Sequence, residues 1–214
     1  MTTTVFLLLA ATAMALLDWW AVWRRKRRLE WFAKPATMAV LIGVAAMAGD
    51  ASGDARAWIV IGAVFGLIGD VALLGDGETA FMSGLGAFAV GHLAYAVGAV
   101  LVGFDPVWAL PGAAFVVALL SYRFVGRTVP GARAQGGPVL AGAVLFYAAV
   151  ISTMTVTAWG TGAWLAAVGA SMFAISDWVL GHQRFVGPLP GGRLSVIVPY
   201  HVGQALLIVG LVTA

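Results

Sequence analysis

The sequence predicts an all-α polytopic membrane protein, a fold class indicated by composition, by long apolar stretches and by the placement of basic residues. Of its 214 residues, 62% are hydrophobic and 10% are charged, and the mean hydropathy is +0.98. A water-soluble domain with this composition would expose large apolar patches. Because apolar stretches recur along the whole chain, we expect one integral membrane domain over residues 1–214.

Polar, glycine and proline clusters divide the chain into eight apolar segments, each close to the roughly 20 residues that a helix needs to cross a bilayer. The segments lack period-2 alternation, which argues against a barrel, and a backbone in lipid must satisfy its own hydrogen bonds. The first segment precedes a basic run instead of following one, as a span does and a signal peptide does not. The predicted spans are residues 2–23, 31–48, 57–75, 80–102, 107–125, 138–157, 160–180 and 195–214.

Basic residues predict the orientation of these spans. Ten of the twelve Lys and Arg residues fall in loops that share one side of an eight-span bundle. The positive-inside rule assigns this side to the cytoplasm, so we expect a bacterial inner membrane protein with both termini outside. Loop placement also accounts for the basic composition without a nucleic-acid partner. The ten residues are Arg24, Arg25, Lys26, Arg27, Arg28, Arg123, Arg127, Arg133, Arg184 and Arg193.

A faint internal similarity indicates a duplication. The sequence GLIGDVALLG at 66–75 resembles FAISDWVLGH at 173–182, and GHLAYAVG at 91–98 resembles GQALLIVG at 203–210. The matched segments fall on spans three and seven, and on spans four and eight. This pattern is compatible with two parallel four-helix repeats.

Ionisable and polar side chains are predicted at one common depth. Asp70 and Asp177 lie about two thirds of the way through spans that run in the same direction. A charge inside a span costs several kcal/mol, so it indicates a partner, a cavity or a function. Other polar residues enter from the same side and could line a pocket with them: Lys34, His92, Tyr95, Tyr147, Tyr200, His201 and Gln204.

Each of these residues also has a purely structural interpretation. Asp70 and Asp177 could form an ion pair with Lys34, and Lys34 could extend toward the headgroups. Asp18 could pair with Arg24 or Arg25. The His side chains could be interhelical hydrogen bonders, and the Tyr side chains could be packing aromatics.

No sequence motif points to a metal or a cofactor. The chain has no HExxH, no GxSxG and no phosphate-binding loop, and it has no cysteine. A metal site built from Asp70, Asp177, His92 and His201 across four helices stays open from the sequence alone. We expect neither a metal nor another cofactor.

Five short motifs in order resemble the YhhN family, the lysoplasmalogenases, which are eight-span membrane enzymes of about this length. They are Lys34-Pro35, Gly69-Asp70, Gly91-His92 with Tyr95, residues 169–177 (GASMFAISD), and Tyr200 through Gln204. The resemblance implies hydrolysis of the vinyl-ether bond of a lysoplasmalogen. The products would be a fatty aldehyde and glycerophosphoethanolamine or glycerophosphocholine.

Such a reaction suits two buried carboxyl groups. Protonation of a vinyl-ether carbon gives an oxocarbenium-like cation, and glycosidases handle a related cation with paired carboxyl groups. We expect Asp70 and Asp177 to be this pair, within about 10 Å of each other in one cavity, with either as the acid. The other polar residues named above would bind the lipid. A proton- or cation-coupled transporter, or a lipid-binding protein, would use the same carboxylates without breaking a bond.

Overall fold

The computed structural model describes residues 2–214, which fold into long helices joined by short turns. The helices are α1 (Thr2–Trp23), α2 (Arg27–Met47), α3 (Gly53–Leu73), α4 (Gly77–Val102), α5 (Pro106–Leu120), a π-helical segment (Ser121–Thr128), α6 (Val129–Gly160), α7 (Trp164–Phe185) and α8 (Leu194–Val212). Gly136 and Gly137 have non-helical backbone angles, so α6 bends there.

The expectation of eight separate transmembrane helices is wrong for this structure. Within residues 2–214, seven helical stretches are long and apolar enough to cross a membrane, because α5, the π-helical segment and α6 form one continuous run, Pro106–Gly160. The cause is local: the turn expected between spans five and six is itself helical. A straight helix of this length would extend roughly 80 Å. The run instead folds back, since the Asp105 amide donates a 2.8 Å hydrogen bond to the Gly160 carbonyl.

The basic loops meet at one end of the bundle, which we call the basic end. Arg27 of α2 pairs with Asp76 beside α4 at 2.8 Å, and Arg193 beside α8 pairs with Glu30 of α2. Gln135 of α6 reaches the backbone of Arg184 near the end of α7 at 3.4 Å. The basic loops of α1–α2, α6 and α7–α8 therefore lie at the same end of the bundle, as the predicted orientation of the spans requires.

The outer surface is apolar and suits lipid. Large hydrophobic side chains are exposed along the helices, among them Phe6, Leu9, Leu110, Val117 and Phe146. Exposed tryptophans lie near helix ends, where membrane interfaces favour them: Trp23, Trp31, Trp58, Trp108 and Trp164. The chain is an integral membrane protein.

Glycine contacts join two helix pairs in the same way. A Cβ on Gly91 of α4 would lie 3.0 Å from the carbonyl oxygen of Gly62 on α3, and a Cβ on Gly203 of α8 would lie 2.9 Å from that of Gly169 on α7. The residue offsets, 107 from Gly62 to Gly169 and 112 from Gly91 to Gly203, are those of the sequence similarity between the two halves. Small residues allow both pairs to approach closely.

Candidate active site

Asp70 of α3 is enclosed by two partners. The Lys34 ammonium of α2 lies 3.1 Å from Asp70 Oδ1, and the Tyr200 hydroxyl of α8 donates a 2.7 Å hydrogen bond to Oδ2. The Asp70 side chain has no exposed surface, and that of Lys34 is 9% exposed. The Lys34 ammonium also lies 5.7 Å from the centre of the Tyr200 ring. These contacts hold the first carboxylate inside a closed cluster of α2, α3 and α8.

Asp177 of α7 belongs to a second cluster. The Tyr147 hydroxyl of α6 donates a short hydrogen bond to Asp177 Oδ2, and His92 Nε2 of α4 lies 2.9 Å from the same hydroxyl and 3.4 Å from Oδ2. The Asp177 side chain is 12% exposed, and Oδ1 makes no hydrogen bond to any residue that the structure describes. One oxygen of this carboxyl group is held, and the other is available.

Two phenylalanine rings lie between the clusters. Phe173 has its ring centre 4.6 Å from that of His92 and 5.2 Å from that of Tyr200. Phe88 lies 6.2 Å from His92 and 5.8 Å from Tyr200 by the same measure. The two carboxylates therefore have different partners on the two sides of an aromatic layer. Asp177 lines the groove described below and Asp70 does not, because depth along a helix does not determine which way a side chain points.

Glycines of α3 make room for the side chains of this aromatic layer. A Cβ on Gly69 would lie 2.6 Å from the Phe88 ring, and a Cβ on Gly66 would lie 2.9 Å from Gln204 Nε2. The oxygen of the Gln204 amide accepts a 2.8 Å hydrogen bond from Tyr95. Tyr95 and Gln204 thus join α4 to α8 in the buried interior, and a role for them in lipid binding stays a prediction.

Asp177 lines an apolar groove. The groove lies between α4, α5, α6 and α7, and its empty space, open mouth included, is about 620 Å³. Tyr147 lines it as well, whereas Asp70, Lys34 and Tyr200 do not. The other walls are apolar, among them Phe81, Leu85, Leu120, Phe124, Val144 and Trp178. A long hydrocarbon chain suits this lining.

A basic basin adjoins the groove at the basic end. Lys34, Arg184 and Arg193 line it together with Asp76 and Gln183. Two apolar residues, Phe81 and Leu180, line both the groove and the basin. The two depressions therefore have a common wall.

His201 lies in a third buried cluster beside α1. Trp19 Nε1 donates a 3.0 Å hydrogen bond to His201 Nδ1, and Asp18 Oδ2 is 4.0 Å from that nitrogen. The Asp18 side chain has no exposed surface and no hydrogen-bond partner among the described residues. The suggested pairing of Asp18 with Arg24 or Arg25 is therefore wrong. Asp18 points inward toward α8, whereas both arginines are exposed.

Sequence reasoning missed the residues that shape these sites. Phe88 and Phe173 carry no polar signal and look like ordinary core residues. Arg184 was assigned to topology alone, although its position seven residues after Asp177 places both on one face of α7. Residues 2–214 contain no group of three or more His, Asp or Glu side chains arranged to hold a metal ion. The chemistry that these residues can support is proton transfer and charge stabilisation next to an apolar chain.

Comparison with known proteins gives the family. The model of the YhhN family matches residues 29–211. The mouse (Mus musculus) lysoplasmalogenase TMEM86B is 33% identical over 161 residues, 74% of this chain and 65% of that protein. The bovine (Bos taurus) lysoplasmalogenase TMEM86A is 29% identical over 153 residues, 70% of this chain and 62% of that protein.

The human (Homo sapiens) lysoplasmalogenase TMEM86B is 25% identical over 197 residues, 88% of this chain and 79% of that protein. The chain thus spans less than two thirds of the length of the mouse and bovine proteins. No solved structure matches the chain. The family match covers most of the chain, as the sequence motifs predicted, and the chain belongs to the YhhN family.

Proposed function

We propose that this protein is a membrane hydrolase that cleaves the vinyl-ether bond of lysoplasmalogens, with Asp177 as the reacting carboxyl group. The products are a fatty aldehyde and glycerophosphoethanolamine or glycerophosphocholine. The observation that carries the proposal is the position of Asp177, a carboxyl group with one available oxygen in the wall of an otherwise apolar groove. The lysoplasmalogenase names of the relatives agree with it, and they do not favour a transporter.

The first step is proton transfer to carbon. The alkenyl chain occupies the groove, and protonated Asp177 gives its proton from Oδ1 to the vinyl carbon farther from the ether oxygen. The double bond supplies the electron pair, and the adjacent carbon and oxygen share the resulting positive charge. General acid catalysis of this kind contributes about a hundredfold to ten-thousandfold. The carboxylate that is left behind stabilises the cation at short range in an apolar site.

The second step is capture by water. A water molecule adds to the carbon bonded to the ether oxygen and returns one proton to Asp177, giving a hemiacetal. The hemiacetal then loses the glycerol oxygen as a hydroxyl group and becomes the aldehyde. One water is consumed, and the enzyme ends in its starting protonation state. The hydrogen bond from Tyr147 and the contact with His92 hold Oδ2 so that Oδ1 faces the substrate.

Asp70 then has a positioning role. Its contacts with Lys34 and Tyr200 fix the Tyr200 ring, which packs against Phe88 and Phe173. The same two phenylalanines contact His92. The Asp70 cluster thus supports the Asp177 cluster through the aromatic layer without touching the groove. Tyr95 and Gln204 support the same packing from α4 and α8.

The path of the chain in the membrane is part of the proposal. The run Pro106–Gly160 is too long for one crossing of a hydrocarbon core of about 30 Å, and its two ends meet. We therefore assign it two crossings, which brings the total to eight and both termini to the side opposite the basic end. The positive-inside rule makes the basic end cytoplasmic, in a bacterial inner membrane. The glycine contacts common to α3–α4 and α7–α8 support two parallel four-helix repeats.

The proposal is tested by aldehyde release from matched lipids. Purified protein is given a lysoplasmalogen, the saturated alkyl-ether analogue or the acyl lysophospholipid, and aldehyde and fatty acid are quantified by mass spectrometry. We expect aldehyde from the vinyl ether alone, because only that bond gives a stabilised cation on protonation. Fatty acid from the acyl lipid with no aldehyde from the vinyl ether would make the protein a lysophospholipase. No product from any lipid would refute the hydrolase assignment.

A further inference from the structure

The basic basin lies beside the apolar groove in a way that matches an amphiphile with an anionic headgroup. Phe81 and Leu180 line both depressions, so a ligand with its chain in the groove has its polar end at the basin. The groove contains one ionisable carboxyl group and no basic residue, whereas the basin holds three basic residues. The polarity changes over this common wall.

Arg184 is the basin cation without an ionic partner among the described residues. Lys34 is paired with Asp70, and Arg193 is paired with Glu30 through both terminal nitrogens. Asp76, the acidic residue of the basin, is paired with Arg27. The Arg184 guanidinium instead lies over the rings of Phe81, at 5.2 Å, and Phe185, at 6.0 Å. Its hydrogen-bond donors are thus free at the junction of groove and basin.

The spacing between Asp177 and Arg184 matches that of a glycerolipid. The two residues are seven positions apart on α7, which places them on one face of the helix and roughly 10 Å apart along its axis. In a lysophospholipid with a vinyl ether, seven bonds separate the protonated carbon from phosphorus. An extended chain advances about 1.2 Å per bond, so this distance is on the order of 9 Å. A lipid with its vinyl group at Asp177 brings its phosphate to Arg184.

We propose that Arg184 is the phosphate-binding residue of a headgroup subsite in the basic basin, and that this subsite selects lysophospholipids over uncharged glycerol ethers. A guanidinium presents paired N–H donors that fit two phosphate oxygens. Lys34 and Arg193 add positive potential from the basin walls while they keep their own partners. The inference rests on the proposed function for the identity of the hydrocarbon chain in the groove. Its test measures binding and does not depend on turnover.

The experiment measures the binding of two saturated ethers, which lack a vinyl bond and therefore cannot be cleaved by the proposed reaction. Purified protein in an uncharged detergent is titrated with a saturated hexadecyl ether of glycerophosphocholine and with the hexadecyl ether of glycerol, by calorimetry. The variants are Arg184→Gln, Arg184→Lys and the control Arg133→Gln, which removes an exposed charge near the same end. Unfolding temperatures establish that each variant is folded.

We expect the wild type to bind the phosphocholine ether at least about tenfold more tightly than the glycerol ether, the value of one charge-assisted pair. Arg184→Gln should remove this preference and leave binding of the glycerol ether within about twofold of the wild-type value. Arg184→Lys should keep part of the preference, because the positive charge remains although the paired N–H donors of the guanidinium are lost. Arg133→Gln should bind both ethers as the wild type does.

Equal binding of the two ethers by the wild type, or an unchanged preference in Arg184→Gln, would overturn the assignment. Inorganic phosphate should not displace the phosphocholine ether, because the chain in the groove supplies most of the binding. Displacement by phosphate would show that the basin binds a free anion, and it would overturn the proposal that the basin binds a lipid headgroup. If the preference is present but no lipid yields aldehyde, the subsite stands and the hydrolase proposal fails.

Discussion

Lys34 and Asp70 form a buried ion pair, with 3.1 Å between the ammonium nitrogen and Oδ1. Removal of one partner leaves an uncompensated charge in a low-dielectric interior, which costs about 3–5 kcal/mol. We therefore expect Lys34→Met and Asp70→Asn each to lower the free energy of unfolding by this amount, measured by denaturant titration in detergent micelles. The double variant should recover much of the loss.

The exposed pair Arg27–Asp76 provides the control for this prediction. Its side chains are 56% and 84% exposed, so Asp76→Asn should change stability by no more than about 1 kcal/mol. Single Lys34 and Asp70 variants that are as stable as Asp76→Asn would show that the pair does not hold the bundle together.

Asp177 and Tyr147 should affect turnover more than stability. Asp177→Asn removes the proton donor, and we expect kcat to fall at least about a hundredfold while the protein stays folded. Tyr147→Phe keeps the ring but loses the hydrogen bond to Oδ2, so kcat should fall about tenfold with KM little changed. Ser171→Ala removes the acceptor of a hydrogen bond that Trp159 of α6 donates to α7 away from the groove, and it should leave both constants unchanged. Normal turnover in Asp177→Asn would remove this residue from the mechanism.

Chain-length selectivity should depend on the deep end of the groove. Ser152 of α6 lines the groove, one helical turn farther from the basic end than Ala148. We expect Ser152→Phe to raise KM for long alkenyl chains at least about tenfold, since an overfilled pocket costs about 1–3 kcal/mol, and to spare short ones. Thr153→Phe puts the same ring on the exposed neighbour and should have no such effect. Identical profiles for the two variants would mean that the chain binds elsewhere.

Close packing of α7 on α8 should make Gly169 intolerant of a side chain. A Cβ there would collide with the backbone amide of Leu207 and lie 2.8 Å from the carbonyl of Gly203. We expect Gly169→Ala to lower the unfolding free energy by about 1–3 kcal/mol. Gly142 of α6 has open space around it, so Gly142→Ala should be neutral or slightly stabilising. Equal stability of the two variants would argue against the tight α7–α8 contact.

The sequence predicts the helices well where hydropathy and breakers agree. The first span was expected at residues 2–23, and α1 is Thr2–Trp23. The open loop expected between spans five and six is wrong, because residues 121–128 continue as π-helix and α6 follows them directly. Hydropathy locates apolar segments, but it does not report whether the polar residues between them leave the helix.

The sequence predicted how far along their helices the two aspartates lie, but not which way their side chains point. Asp70 and Asp177 do occupy matching positions on α3 and α7, yet Phe88 and Phe173 separate their partners. Which way each carboxyl group points depends on the packing of aromatic side chains from several helices, and one sequence carries no signal for that packing. The proposed role of Arg184 was not predicted for a related reason. It depends on a groove and a basin that form only when several helices pack together.

The most direct test of the account follows the proton that Asp177 transfers. Purified wild-type protein and Asp177→Asn are incubated with lysoplasmalogen in heavy water, the aldehyde is reduced at once to the alcohol, and its mass is measured. The account predicts one deuterium on the carbon next to the former aldehyde carbon, formed at least about a hundredfold faster by the wild type than by Asp177→Asn. Aldehyde without deuterium at that carbon, or equal rates for the two proteins, would contradict proton transfer from Asp177.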